Sequence, residues 1–219
     1  MKNASIEKSK LRLVVPNITN QQIAQLERFA HALQEWNKRY NLVSRKDIDH
    51  VWENHILPSL VPLGSIEFPE ASWLLDIGSG GGFPAIPIRI VRPDLQILMV
   101  DSVRKKTLFL QKVILDLQLK NIAVKRERIE SLRGPTFAEK FDIVTARAVS
   151  NISQLIHWSR PFLKDDGFLL LWKGLSDTTE LQEVAAEARL RFEIIPVQNL
   201  LKELSPKFEE LCFFQIWID

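Results

Sequence analysis

A cluster of glycines at the end of a short apolar run constrains the fold of this chain most. Residues 74–77 read as a buried strand, and glycines follow at positions 78, 80, 81 and 82. Glycine lacks a Cβ, so it accepts positive φ and lets a ligand approach the backbone closely. Such a turn at the carboxyl end of a strand is where α/β sheets bind nucleotides.

A second apolar run, residues 95–100, ends in an acidic residue. Asp101 lies 23 positions beyond Gly78 (101 − 78). An acid at the tip of the second strand, about 20 residues past the glycine turn, can accept hydrogen bonds from ribose hydroxyls. We expect Asp101 to be exposed to a crevice beside the glycine turn. The pattern predicts an adenosine-containing ligand that contacts Gly78, Gly80 and Asp101.

Two prolines decide between the candidate ligands. The dinucleotide fingerprint G-x-G-x-x-G/A fits formally as Gly80, Gly82 and Ala85. Pro84 and Pro87 fall in the helix start, however, and remove backbone N–H groups that would bind a pyrophosphate. S-adenosylmethionine contains adenosine, a sulfonium and an amino acid but no phosphate. The sequence therefore favours S-adenosylmethionine over NAD.

Composition and cysteine usage set the broad class. The chain has 219 residues, 46% hydrophobic and 26% charged, which suits a globular α/β domain with an extension. Its single cysteine, Cys212, lies in an apolar run and is expected to be buried. The four histidines show no metal-ligand spacing, and neither a membrane span nor a signal peptide is recognisable. We expect a cytoplasmic protein without a metal site or membrane contact.

Hydrophobic periodicity divides the chain into a helical N-terminal extension, residues 1–62, and an α/β domain, residues 63–219. Thr19 and Gln22 predict a capping box, and Asp47 is predicted to cap a second helix. Beyond residue 63, alternating patterns predict a mainly parallel, doubly wound sheet whose last strand is antiparallel. Strands are predicted at 74–77, 96–100, 122–126, 141–146, 167–172, 193–198 and 210–218, and helices at 84–91, 103–118, 151–163 and 177–191.

Charge is unevenly distributed although the net charge is only +2. Residues 101–134 carry nine Lys/Arg and four Asp/Glu, which gives +5, whereas residues 173–219 carry five and nine, which gives −4. The basic stretch has two interpretations, a solvated helix face or a phosphate-contacting rim beside the ligand site, and its charge alone does not choose between them.

The tips of the next two strands supply further candidates. Ile129 could pack on an adenine face and Glu130 could reach its polar edge, although a plain surface loop is the alternative. Arg147 ends an apolar strand, so it needs either a ligand or a structural partner. No nucleophile or general-base motif is recognisable, so no catalytic residue is assigned. A methyl acceptor with a free lone pair, such as guanine N7, needs no deprotonation, and positioning then supplies the catalysis.

Several ordered motifs across residues 36–174 resemble one family. In the N-terminal part they are Trp36-Asn37-Lys38, Tyr40-Asn41-Leu42, Ser44, His55-Ile56-Leu57 and Ser59; in the core they are Asp76-Ile77-Gly78-Ser79-Gly80, Gly82-Phe83-Pro84, Ile86-Pro87, Arg92-Pro93, Asp101-Ser102, Lys105, Arg128-Ile129-Glu130, Phe141-Asp142, Arg147-Ala148 and Lys173-Gly174. The chain is similar to the RsmG (GidB) family, bacterial methyltransferases that modify guanine N7 in small-subunit rRNA. One departure is Ala85, where relatives often have glycine.

The resemblance implies a Rossmann-like, seven-stranded class I methyltransferase fold. It implies S-adenosylmethionine contacts at Gly78, Phe83, Ile129, Glu130 and Arg147. The product would be 7-methylguanosine in 16S rRNA, the partner the small ribosomal subunit, and the enzyme a monomer. Two alternatives stay open: a methyltransferase of the same fold that acts on protein or a small molecule, and a non-catalytic RNA- or nucleotide-binding module.

Overall fold

A mixed β-sheet lies at the centre of the fold in the computed structural model, which describes residues 9–132, 134–197, 199–202, 205 and 208–218. Within this part of the chain the strands are β1 (Trp73–Ile77), β2 (Gln96–Asp101), β3 (Ile122–Arg126), β4 (Phe141–Arg147), β5 (Leu163–Gly174), β6 (Arg191–Pro196) and β7 (Leu211–Trp217). Their order is β3-β2-β1-β4-β5-β7-β6, and β7 alone runs antiparallel to both neighbours. The predicted sheet and its antiparallel last strand are confirmed. Residues 1–8 of the predicted extension and position 198 of the predicted sixth strand lie outside the described residues.

The strand order reverses direction between β1 and β4. Ile77, the last residue of β1, pairs with Val100 on one side and Ala146 on the other, so three strand tips meet at one edge. In open α/β sheets, ligands bind in the crevice outside the carboxyl ends of the strands at such a switch point. The topology therefore places the glycine turn, Asp101 and Arg147 at the same edge of the sheet.

Helices cover both faces of the sheet. Besides a helical segment at residues 9–14, they are α1 (Asn20–Asn37), α2 (Leu57–Leu60), α3 (Ala85–Val91), α4 (Arg104–Asp116), α5 (Ile152–Ser159), α6 (Thr178–Ala188) and α7 (Asn199–Lys202). Because strand side chains alternate between the faces, Leu74 joins the core beneath α1, α3 and α4, whereas Leu75 joins the core beneath α5 and α6. Cys212 is fully buried in the second core, as predicted.

The first long helix packs on the α/β domain and begins as predicted. The Thr19 hydroxyl accepts a hydrogen bond from the Gln22 N–H at 3.2 Å, and Gln22 Oε1 accepts one from the Thr19 N–H at 2.9 Å. These bonds satisfy N–H groups that have no partner inside the helix. The Gln22 amide also donates to the carbonyls of Ile90 and Val91 at 3.0 Å, which ties α1 to the end of α3.

The segment after α1 is irregular. A 3₁₀ turn at Ile48–His50 leads into a π-helical turn at Trp52–Ile56, then α2 and a further 3₁₀ turn at Val61–Gly64. The prediction that Asp47 caps this segment through its side chain is wrong. Its carboxylate instead accepts from Ser44 Oγ and Asn54 Nδ2, each at 2.7 Å, so it braces the loop rather than the helix start.

The N-terminal helices share one hydrophobic core with the sheet. Leu26 and Phe29 of α1 are fully buried in the same cluster as Leu74 and Ile143. The division at residues 62 and 63 stays a prediction. In the ranges that the structure describes, no helix is long and apolar enough to cross a bilayer.

Candidate functional site

The glycine turn after β1 takes a backbone path that other residues would strain. Gly78 has φ +70°, and a Cβ built on it would lie 2.6 Å from Val149 Cγ2. Gly82 has φ +94°, and its Cβ would lie 2.8 Å from Ile86 Cγ1. The N–H of Gly78 donates to the Val100 carbonyl at 2.8 Å, which fixes the turn to the tip of β2. Both glycines are therefore required by conformation and by space.

Asp101 is joined to the glycine turn. One carboxylate oxygen accepts the backbone N–H of Gly80 at 2.9 Å, and the other accepts that of Val103 at 2.8 Å. The Lys106 ammonium lies 4.0 Å from the first oxygen. Asp101 faces a crevice beside the turn, as expected, but only 6% of it is accessible, because these bonds draw it into the turn. A carboxylate has about four acceptor positions, so it can still accept from ribose hydroxyls.

A crevice of about 280 Å³ opens beside this turn at the carboxyl edge of the sheet. Its walls come from the ends of the first four strands and from the segments that follow them. They are Ile77, Gly78, Val100, Asp101, Ser102, Val103, Lys106, Glu127, Arg128, Ile129, Glu130, Ala148, Val149 and Trp158.

Four of the predicted site residues line this crevice. Gly78 and Asp101 form its floor, and Ile129 and Glu130 form the wall beyond β3. Ile129 is buried, with 6% exposure, whereas Glu130 is exposed. The wall thus offers an apolar surface next to a polar, accessible group. Such a pair suits a heterocyclic base with an apolar face and a polar edge. That these residues bind a cofactor stays a prediction.

The other three predicted residues do not line the crevice. Gly80 lies in the turn and holds Asp101 through its N–H. Phe83 is buried, and its ring stacks on His55 with centroids 4.8 Å apart and planes at 23°. Arg147 extends toward the N-terminal segment, where it donates to the Asn54 carbonyl at 2.6 Å and the His55 carbonyl at 3.4 Å.

Arg147 has structural partners, the carbonyl oxygens of Asn54 and His55. Burial lowers the pKa of its guanidinium to about 10, while Asp47 and Asp76 act in the opposite direction. The side chain therefore remains a cation near neutral pH, held by carbonyl oxygens of the π-helical turn. Two of its five N–H donors take part in these bonds, so donors remain for a ligand.

Asp76, two residues before Gly78, is an unusual buried acid. It has no accessible surface, and its Oδ1 accepts from Thr145 Oγ1 at 2.8 Å. Among the described residues, its Oδ2 has no hydrogen-bond partner. Desolvation by burial raises the pKa of this carboxyl to about 7, although the bond from Thr145 opposes the shift. An acid so placed, beneath a predicted cofactor turn, has unused capacity for a hydrogen bond.

Among the crevice residues that were not predicted as site residues are Val149, Trp158 and Lys106. Val149 packs over Gly78 and Trp158 closes the side near Ile129, but no motif singled out either one. Lys106 was noted only as part of a basic run, whereas its ammonium faces Asp101. Of these three residues, only Lys106 could have been found from the sequence. A helical projection of the residues after β2 places it in the first turn of α4, next to the tip of β2.

Metal chemistry has no visible support in the ranges that the structure covers. Within them, no group of three or more His, Cys, Asp or Glu side chains is arranged to hold an ion.

Comparison with known proteins identifies the family. Residues 22–203 match the GidB family, described as rRNA small subunit methyltransferase G. The chain belongs to the GidB family. The match spans α1, the glycine turn, the crevice and most of the sheet, so the resemblance seen in the sequence is confirmed.

Curated relatives of the GidB chain carry the same description. A ribosomal RNA small subunit methyltransferase G from Geobacillus sp. (strain WCH70) is 36% identical over 201 residues, which cover 91% of this chain and 84% of that protein. The protein of that name from Flavobacterium psychrophilum is 36% identical over 175 residues, covering 77% and 81% of the two chains. The one from Syntrophotalea carbinolica is 40% identical over 171 residues, covering 78% of each.

Solved structures of methyltransferases share the fold of this GidB protein. A SAM-dependent methyltransferase from Aquifex aeolicus matches with a TM-score of 0.61 and 14% identity, covering 85% of this chain and 98% of that one. A putative S-adenosyl-L-methionine-dependent methyltransferase from Methanococcus maripaludis matches with a TM-score of 0.57 and 18% identity, covering 78% and 90%. The expected Rossmann-like class I methyltransferase fold is thereby confirmed.

Proposed function

We propose that this protein transfers the methyl group of S-adenosylmethionine to N7 of one guanosine in 16S rRNA. Membership of the GidB family makes an rRNA methyltransferase with this cofactor the expected enzyme. The observation that carries the proposal is the joining of the glycine turn to Asp101 at the switch point of a sheet in a GidB chain. The proposal goes beyond family membership in naming guanine N7 as the methylated atom and 16S rRNA as the substrate.

The residues at the crevice suit the adenosine part of the cofactor. The remaining acceptor positions of Asp101 would take the ribose hydroxyls, and the buried Ile129 would lie against the adenine face. Gly78 would allow close approach, because no Cβ stands between its backbone and the crevice. No phosphate-binding row of N–H groups is needed, consistent with Pro84 and Pro87 at the start of α3.

Phe83 and Arg147 remain proposed contacts on the side of the turn that faces the N-terminal segment. Arg147 would reach the cofactor with the donors that the Asn54 and His55 carbonyls do not use. Arg147 therefore has donors left where the amino-acid end of the cofactor would need partners.

The chain contributes positioning and electrostatics to the reaction. When bound, S-adenosylmethionine supplies an electrophilic methyl group. The N7 lone pair of guanine can attack it without prior loss of a proton, so no side chain need act as a general base. Lys106, Asp101 and the turn would fix the adenosine, and Val149, just beyond β4, borders the same crevice. Geometry in line with the breaking bond then accounts for the catalysis.

Labelled cofactor and mass mapping test this function. Small ribosomal subunits from cells that lack the protein should accept one methyl group, which maps as a single 7-methylguanosine in 16S rRNA. Bulk protein and small-molecule extracts should remain unlabelled. Label in protein instead of RNA would favour a methyltransferase of the same fold with another substrate, and cofactor binding without transfer would favour a binding module.

We also propose that the protein acts in the cytoplasm as a monomer. An enzyme that modifies rRNA needs access to ribosomal particles. Size-exclusion chromatography with light scattering should give a mass near 25.3 kDa, and a dimer mass would contradict the oligomeric part.

A further inference from the structure

A basic loop, residues 38–46, follows α1. It carries four cationic residues and no acidic one, in the order Lys38, Arg39, Arg45 and Lys46. Lys38 forms an ion pair with Glu35 at 2.6 Å, whereas Arg39, Arg45 and Lys46 present exposed side chains. The loop lies outside the basic stretch of residues 101–134, so it is a separate concentration of positive charge.

Hydrogen bonds and packing hold this loop against the glycine turn. Asn37, at the end of α1, is buried, and its Oδ1 accepts the N–H groups of Leu42 at 2.8 Å and Val43 at 3.1 Å. Val43 Cγ1 lies 3.2 Å from the position that a Cβ on Gly81 would occupy. Val43 thus holds the loop against the glycine turn, at the carboxyl edge of the sheet.

An exposed aromatic ring connects the loop to α4. Tyr40 is 40% exposed, and its ring packs on Trp36 with centroids 5.7 Å apart. Trp36 in turn packs on Phe109 of α4 at 5.5 Å. The first turn of α4 carries two more exposed cations, Arg104 and Lys105. Trp36 therefore links the loop to the N-terminal half of α4, and we call the loop and the start of α4 together the basic rim, which includes the ring of Tyr40.

We propose that the basic rim docks the RNA substrate, with the cations of loop 38–46 on phosphates and Tyr40 stacked on an unpaired base. This inference rests on the proposed function, because it requires an RNA substrate. Phosphate contacts by Lys and Arg supply most of the affinity for nucleic acid, and aromatic rings stack on bases of any identity. An acidic protein partner would satisfy the cations but would leave the exposed ring of Tyr40 without a planar partner. The combination favours RNA.

Salt-dependent RNA binding tests the rim. The probes are a 16S rRNA transcript and small ribosomal subunits from cells that lack the protein. Arg45→Ala/Lys46→Ala should make the negative slope of log affinity against log salt shallower by about 1.4, or about 0.7 for each phosphate contact. The matched control is Lys112→Ala/Lys120→Ala, which removes two exposed cations near the far end of α4. The control should keep the wild-type slope.

The aromatic ring is tested separately. Tyr40→Ala should weaken RNA binding about 5- to 150-fold, whereas Tyr40→Phe, which keeps the ring, should bind within about twofold of the wild type. S-adenosylhomocysteine affinity, measured by calorimetry, should be unchanged in every rim variant and thereby reports an intact cofactor site.

The outcomes separate this proposal from the function on which it rests. If the wild type methylates rRNA and the loop variant keeps its salt slope and its KM for subunits, the rim proposal is overturned and the function stands. If the wild type neither binds nor methylates RNA, both fail. If the loop substitutions impair methylation of bulk protein instead, the rim serves a protein partner and the RNA proposal is likewise overturned.

Discussion

Asp101 and Gly80 are joined by a hydrogen bond of 2.9 Å between a carboxylate oxygen and a backbone N–H. The acid at the tip of β2 and the glycine turn after β1 therefore form one structural unit, although 21 residues separate them (101 − 80). The same side chain would hold the cofactor ribose, so it both shapes the turn and serves the site.

Substitution of Asp101 should reveal both roles. Asp101→Ala removes the acceptor of two backbone N–H groups, and we expect about 1–3 kcal/mol of lost folding stability. Loss of the charged ribose contact should weaken S-adenosylhomocysteine binding about 10- to 150-fold. Calorimetry and urea unfolding measure the two effects. Asp116→Ala, which removes an exposed carboxylate at the end of α4, is the control, and equal affinity in both variants would exclude Asp101 as the ribose partner.

Thermal unfolding tests the choice of cofactor. A ligand present at 100 times its dissociation constant stabilises the folded state by about 2.7 kcal/mol. For a chain of this size, that raises Tm by about 5–10 °C. S-adenosylhomocysteine should produce this rise and NAD should not, because Pro84 and Pro87 remove N–H groups at the start of α3 that a pyrophosphate would need. A rise with NAD alone would reverse the assignment.

The two lysines at the start of α4 should separate by function. Lys105 is exposed on the basic rim, whereas Lys106 lines the crevice with its ammonium 4.0 Å from Asp101. Lys105→Ala should lower the salt slope of RNA binding by about 0.7 and leave S-adenosylhomocysteine binding unchanged. Lys106→Ala should mainly weaken the binding of S-adenosylhomocysteine. Identical profiles for the two variants would mean that the crevice and the rim are not distinct surfaces.

Local patterns in the sequence predicted the fold because they act over a few residues. The Thr19–Gln22 capping box formed as expected, since it depends on groups three positions apart, and the glycine turn formed as expected, since its glycines permit positive φ. The ends of the strands agreed to within a few residues because an apolar run is likewise a short-range signal.

Tertiary contacts account for what the sequence could not predict. Asp101 is buried because its two oxygens accept hydrogen bonds from the N–H groups of Gly80 and Val103, and nothing in the strand pattern shows these bonds. Arg147 turns toward the Asn54 carbonyl, 93 positions away in the chain. The π-helical turn at Trp52–Ile56 has no recognised sequence signature and depends on packing around it. Single-sequence reasoning therefore located the crevice but not the direction of each side chain.

Asp76 should make folding stability depend on pH. Burial raises the pKa of its carboxyl from 3.8 to about 7, so the folded state binds the proton more tightly than the unfolded state. This contribution is complete below pH 3.8 and is lost as the pH rises through about 7. Relative to Asp76→Asn, the wild type should therefore lose up to about 4 kcal/mol of unfolding free energy across that window.

Urea unfolding between pH 5 and 8 measures the Asp76 effect. The difference between the wild type and Asp76→Asn should grow in favour of the variant from pH 5 to about 7 and level off above it, because the carboxyl is then ionised in both the folded and the unfolded state. Asp94 supplies the control, because its bond from Arg92 lowers the pKa of its carboxyl to about 2, outside this range. The Asp94→Asn difference should stay flat from pH 5 to 8. A flat difference for Asp76 as well would show that its carboxyl is ionised throughout.

The reaction itself should proceed without a general base. In paired A-form RNA the N7 edge lies in a deep major groove that side chains cannot enter, so the target guanosine must be unpaired or splayed out when it reacts. Attack by the N7 lone pair gives a cationic base directly. With saturating cofactor and limiting subunits, the rate of methyl transfer should vary little between pH 6 and 8. A base with a higher pKa would instead give about a tenfold rise per pH unit.

The pH profile must also exclude Asp76 as a general base, because the pKa of its carboxyl, about 7, falls within the measured range. It lies beneath the turn with no accessible surface, so it cannot reach a base that enters from the crevice. Asp76→Asn should therefore leave the shape of the pH profile at saturation unchanged. A steep profile that becomes flat in Asp76→Asn would make this carboxyl part of the proton chemistry. A methyl group found on an exocyclic amine, which does require loss of a proton, would contradict the N7 mechanism even with the cofactor assignment intact.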